Sequence, residues 1–165
     1  MTDLWPWALA AYPRPGVEAA CLALQDEHGV NVCYLLWAAW GEAEARPLDL
    51  SAGVALAEAW EAKVAAPLRA ARRDLTSDWA CIAPDRRTVL REKLKQLELS
   101  AERLLLESLA ALPPGRGPVT LAEAAALWPA PPPPQSIATL NVAITNPVYA
   151  EGVGGPQGDA PGVRS

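Results

Sequence analysis

Residues 32–40 read VCYLLWAAW, nine consecutive residues without a charge on any side. A helix that is apolar around its whole circumference must be covered on all of its faces. This stretch therefore demands a fold with one element at its centre and the others around it. Asn31 stands where an N-cap belongs, and Gly41 is the expected stop. At nine residues the run is less than half of the ~20 needed to span a bilayer, so the centre in question is a protein core.

The material around it is helical. Ala and Leu dominate a chain that is 51% hydrophobic, with seven Trp and no Phe. Upstream, Asp3 and Pro6 open a first helix that runs to about Tyr12, and Pro13 and Pro15 end it. Val17, Ala20, Cys21, Leu24 and His28 follow one face of a second helix, and Gly29 is placed to cap it in the left-handed conformation. Downstream, Ser51 starts a fourth helix with Val54, Leu56, Ala57, Trp60 and Val64 inward; Pro67 predicts a kink near Val64. Thr76–Pro84 is a loop that Trp79 and Ile82 should pack down. A long helix then runs from about Arg86 to Leu112, capped by Asp85. Leu90, Leu94, Leu97, Ala101 and Leu104 are spaced 4, 3, 4, 3, a heptad-like seam expected to face the core and to be continued by Leu105, Leu109 and Leu112. Thr120 and Glu123 form a capping box for a short helix ending near Trp128.

These elements make an all-α, compact single-domain bundle of five to six helices over residues 3–128. PAPPPPQ (129–135) reads as a polyproline spacer and 136–165 as a Pro/Gly-rich, mostly disordered tail, although SIATLNVAIT (136–145) is apolar enough to dock. Asn146-Pro-Val-Tyr149 has the form of an NPxY peptide, read here as chance.

The segments YPRPGVEAACLALQDEHG, WEAKVAAPLRAARR and LKQLELSAERLLLESL are similar to those of a family of small, mostly proteobacterial helical proteins without an assigned activity. The resemblance spans about residues 3–112. It implies an all-α fold and supplies no catalytic residue.

The chemistry-bearing residues gather at two places. The first is the polar knot Gln25-Asp26-Glu27-His28, a pocket or inter-helix cluster holding the chain's one histidine. Cys21, His28 and Cys33 suit zinc by type, but two helical turns hold Cys21 and His28 about 10 Å apart along the axis, too far for one ion. Acid–base work by His28, oriented by Asp26 or Glu27, lacks an accompanying nucleophile motif. The plainer reading is a helix end, with His28 facing the negative pole of its own helix. The second place is Arg69, Arg72 and Arg73, crowded on one helix face and extended by Arg86 and Arg87. They pair with the acids of the first half or present a surface to phosphate, acidic lipid or an acidic peptide. Trp5, Trp7, Trp37, Trp40 and Trp60 are read mainly as core.

Charge is uneven along the chain. Residues 1–62 carry a net charge of -7, residues 63–95 of +5 and residues 96–165 of -3, for a total of -5. This total speaks against general nucleic-acid binding. Three cysteines without a CxxC pair fit a reducing compartment, and no secretory leader is visible. The expectation is a bacterial, cytoplasmic, non-enzymatic protein-interaction module, with no cofactor, no metal and no membrane partner. The alternatives are a small enzyme or ligand binder near His28, and an anion binder at the arginine face.

Overall fold

The computed structural model describes residues 3–145. The elements in chain order are α1 (Leu4–Ala11), α2 (Val17–His28), α3 (Val32–Ala43), β1 (Pro47–Leu48) and α4 (Leu50–Trp60). A π-helical stretch (Glu61–Ala65) then leads into α5 (Ala66–Asp74). They are followed by α6 (Pro84–Ala110), β2 (Pro114–Pro118), α7 (Leu121–Ala126) and α8 (Pro134–Thr145). α4, the π stretch and α5 are continuous, so seven helical rods make up the described bundle.

α3 is its axis. Every residue from Cys33 to Gly41 is buried, as the uncharged stretch demands. α1, α2, α4, α6, α7 and α8 all pack on it. Asn31 caps it as expected: its Oδ1 accepts from Tyr34 N at 3.1 Å, and the residue is itself buried. The helix does not stop at Gly41 but runs to Ala43, because Gly41 lets Leu48 come close while the helical ladder continues. Tyr34 lies between Trp37 and Trp128, at 5.8 and 5.5 Å between ring centroids, and its hydroxyl donates to Ala124 O at 3.0 Å. The buried phenol thus keeps its hydrogen bond, which a core position requires. Trp37 packs against Gly53 of α4; a Cβ there would fall 2.3 Å from the indole ring.

The other helices show why their sequences coil as they do. α2 buries Val17, Cys21 and Leu24 and ends at Gly29, whose φ of 63° is left-handed and whose N–H reaches Gln25 O at 2.9 Å. α7 carries both halves of its capping box. Pro67 has no N–H to give Lys63, and the chain absorbs this as the π stretch, a wider turn rather than a break.

Several boundaries move. Asp3 occupies the N-cap position of α1 without a side-chain cap bond. Asp49, not Ser51, caps α4, accepting from Ala52 N at 3.0 Å. α6 opens on Pro84 at its first turn, so Asp85 lies inside the helix rather than before it. Trp79 and Ile82 remain 45% and 44% exposed; the loop does not pack down. β1 and β2, absent from the sequence reading, form a short antiparallel pair, with Leu48 against Gly41 of α3.

The domain also extends past residue 128. Pro134 opens α8, and Ile137, Leu140 and Ile144 are buried at 3, 4 spacing against α2, α3 and α7. The proposed spacer is therefore cut short, and 136–145 belongs to the core rather than to a disordered tail. Glu42 holds this end together: it accepts from Leu121 N at 2.7 Å and from Asn141 Nδ2 at 3.4 Å. The part of the expected tail from Asn146 on, including Asn146-Pro-Val-Tyr149, lies outside the described residues.

The largest correction concerns α6. Leu105, Leu106 and Leu109 are buried, but Leu90, Leu97 and Leu104 of the expected inward seam are 50%, 54% and 52% exposed. The helix is about 40 Å long, and along its N-terminal half the body covers one side only.

Candidate functional site: an apolar cleft with an ion-paired rim

Where α1, α2 and α6 diverge over α3, they leave a cleft of about 260 Å³. Its wall is apolar: Trp5 and Leu9 from α1, Leu22 from α2, Val32 and Leu36 from α3, Leu99 and Leu106 from α6. Leu9, Leu22 and Leu99 are 55%, 40% and 49% exposed. Isolated exposed leucines are ordinary on a protein surface; three from separate helices around one concavity are not.

One rim is built by α5, which brings Arg69, Arg72 and Arg73 to the cleft together. The π stretch contributes to this aim. Its extra residue turns the face that follows by roughly 100°, one residue of an α-helix. Each arginine then meets an acid. Arg69 Nη1 donates to Glu61 Oε1 at 2.9 Å, and the other oxygen of Glu61 accepts from Asn31 Nδ2 at 2.8 Å. Arg72 Nε donates to Glu98 Oε1 at 2.5 Å. Arg73 Nη2 donates to Asp26 Oδ1 at 2.8 Å. The first two pairs are largely covered, with 13–25% of each side chain exposed; the third lies in solvent at 58% and 51%. The inner pairs therefore fix geometry, while the outer one is worth ~1 kcal/mol or less.

Three of the groups lining the cleft, Cys33, Tyr12 and Glu102, are shifted toward their protonated, uncharged forms. Burial pushes the Cys33 thiol well up, with Glu102 adding to the shift, and its Sγ lies 3.7 Å from Glu102 O. Burial likewise pushes Tyr12 up to about 12. The Glu102 carboxyl is raised, by burial first and by Glu98 next, against the lowering pull of Arg69 and Arg72. Glu102 still shows much of its surface to water, which screens this effect. Such a cleft is suited to holding an apolar group, and its thiol is the wrong species for nucleophilic work.

The two groups of residues singled out in the sequence are distributed as follows. Gln25 lines the cleft, and Asp26 reaches it through Arg73. Glu27 is 70% exposed, and His28 Nε2 sits 3.8 Å from its Oε2 at the helix end, away from the lining. Arg86 and Arg87 do not join the rim. Arg87 turns back on the loop, donating to Ser77 O and lying 3.9 Å from Asp78 Oδ1. Among the described residues no group of three or more His, Cys, Asp or Glu could hold a metal ion, and no helix is long and apolar enough to cross a membrane.

The sequence reading missed Leu9, Leu22 and Leu99. Their signal was available. Each is a large apolar residue off the buried face of its own helix; Leu22, for example, directly follows buried Cys21.

Fold and cleft together define an all-α bundle wrapped on a central helix, with an open amphipathic groove between α1, α2 and α6. The chain belongs to the family described as "Protein of unknown function (DUF2390)", whose match covers residues 3–109. That span includes every residue that lines the cleft. No curated protein and no solved structure matches the chain.

Proposed function

We propose that this is a non-enzymatic interaction module of the bacterial cytoplasm that seats an amphipathic helix of a partner protein in the cleft between α1, α2 and α6. The observation that carries the reading is the convergence of Leu9, Leu22 and Leu99 on one concavity. Its size favours a helix face over an enclosed small molecule. Pockets that enclose a whole ligand run from ~300 to 1,000 Å³, and this one is about 260 Å³ and open to solvent. It has room for one or two large side chains projecting from something that stays outside, which is the helix-in-groove mode. The rim of paired arginines and acids offers both signs of charge beside the apolar floor. The arginines thus supply orientation to a contact whose affinity comes from the leucines. Three free thiols, two of them buried, fit a reducing compartment.

The test compares partner capture from cells by the wild type, by Leu22→Glu and by Val142→Glu. Val142 is 58% exposed on α8, away from the cleft. All three proteins should unfold at similar temperatures. Loss of one and the same partner from Leu22→Glu alone supports the reading; equal capture by all three overturns it.

A further inference from the structure

The outer half of α6 carries a second apolar feature, separate from the cleft. Leu90, Leu97 and Leu104 recur at intervals of seven and are each about half exposed. At roughly 100° per residue they drift only ~20° per heptad, so they form one stripe along some 20 Å of helix. Leu99, which serves the cleft, lies on the opposite side. The flank of the stripe turned toward Leu105 is covered by the chain's own body, because Leu94 and Ala101 are partly buried there. The other flank is open and carries Arg86, Lys93, Ser100 and Glu107, also seven apart.

We infer that this stripe pairs with the same stripe of a second copy, antiparallel, about a two-fold axis through Leu97. The axis makes the contact self-complementary. Leu97 meets its own counterpart and Leu90 meets Leu104 of the other copy. The open flanks then face each other, setting Arg86 against Glu107 and Lys93 against Ser100. Charge thus matches in both halves of the interface. A parallel pair would instead turn the open flank toward the covered one and would leave Arg86 and Glu107 at opposite ends of the contact. Glu107 already holds Arg103 at 2.8 Å in solvent, and an exposed pair of this kind leaves room for a second cation. Three half-exposed leucines cover much less than the ~800 Å² per partner of a standard interface, so the dimer is weak and reversible.

The test is mass against concentration by light scattering, up to the ~mM range. The wild type should move from monomer toward dimer. Leu97→Glu sets like charges on the axis and should weaken association at least ~tenfold. Glu107→Arg, a surface change, should also weaken it, and adding Arg86→Glu should restore it. With Cys81 replaced by Ser, the pair Lys93→Cys and Ser100→Cys should give disulfide dimers on mild oxidation, and Lys93→Cys alone should not. A monomeric mass throughout, an unchanged Leu97→Glu, or ready cross-linking by Lys93→Cys alone overturns the inference.

Discussion

α3 and the outer half of α6 are both leucine-bearing helices, yet one is covered on every side and the other along one side only. α3 has no charged residue between Val32 and Trp40, so every packing partner it meets gains apolar contact. α6 between Pro84 and Ser100 sets its leucines among Arg86, Arg87, Arg91, Lys93, Lys95 and Glu92. Water can satisfy that surface, and the body covers only one side of the helix there. Apolar spacing shows that a helix has a face. Only the surrounding mass determines whether the same chain covers it.

The sharpest way to break this contrast is to truncate leucines along α6 itself. Leu105→Ala should cost about 2–5 kcal/mol in denaturant unfolding, because Leu105 is fully buried. Leu97→Ala should cost ~0.5 kcal/mol or less at concentrations where the chain is monomeric. Equal costs would mean that the outer half is covered after all. Next in size, Gly53→Ala should destabilise by about 1–3 kcal/mol, since its Cβ would be driven into the Trp37 ring. A neutral result would mean that α4 stands off α3 and that the centre is looser than described.

Thiol chemistry sharpens the same comparison between centre and periphery. Cys21 and Cys33 are buried and Cys81 is exposed, so a thiol reagent near neutral pH should modify one of three cysteines in the folded chain and all three in denaturant. Burial also raises Cys21 and Tyr12 to about 12. Their folded pKa values lie above the unfolded ones, so the fold favours the protonated forms. Their contribution to stability is complete below the unfolded thiol value of ~8.5 and falls as pH rises toward 12. Unfolding curves at rising alkaline pH should show this decline; a flat response would contradict the burial of these groups. The smallest effect is expected at the cleft's outer rim. A double-mutant cycle on Arg73 and Asp26, both about half exposed, should give a coupling of ~1 kcal/mol or less.

The legible parts of the fold were those fixed by local physics. The Asn31 cap, the Gly29 reversal, the Thr120/Glu123 box and the uncharged α3 stretch each act within a few residues, and each stands as read. Parts that depend on the arrangement of distant segments were not legible. The α6 seam looked inward because spacing carries no information about what lies opposite. The strand pairing of Pro47–Leu48 with Pro114–Pro118 joins segments that neither propensity nor alternation marks as strands. The site divides along the same line. Arg69, Arg72 and Arg73 were found because they crowd one helix face, and their partners include acids from both sides in sequence, Asp26, Glu61 and Glu98. The leucines that give the cleft its character come from three helices, and only the fold brings them together.

The most direct test of the central claim, that partners dock at this cleft, is to place a photoreactive residue at position 22 and irradiate living cells. The account predicts a discrete adduct from position 22 that disappears when Leu9 and Leu99 are both changed to Glu, and none of that mass from position 142. An adduct of the same mass and yield from both positions, or one that survives the Leu9 and Leu99 changes in a folded protein, would contradict it.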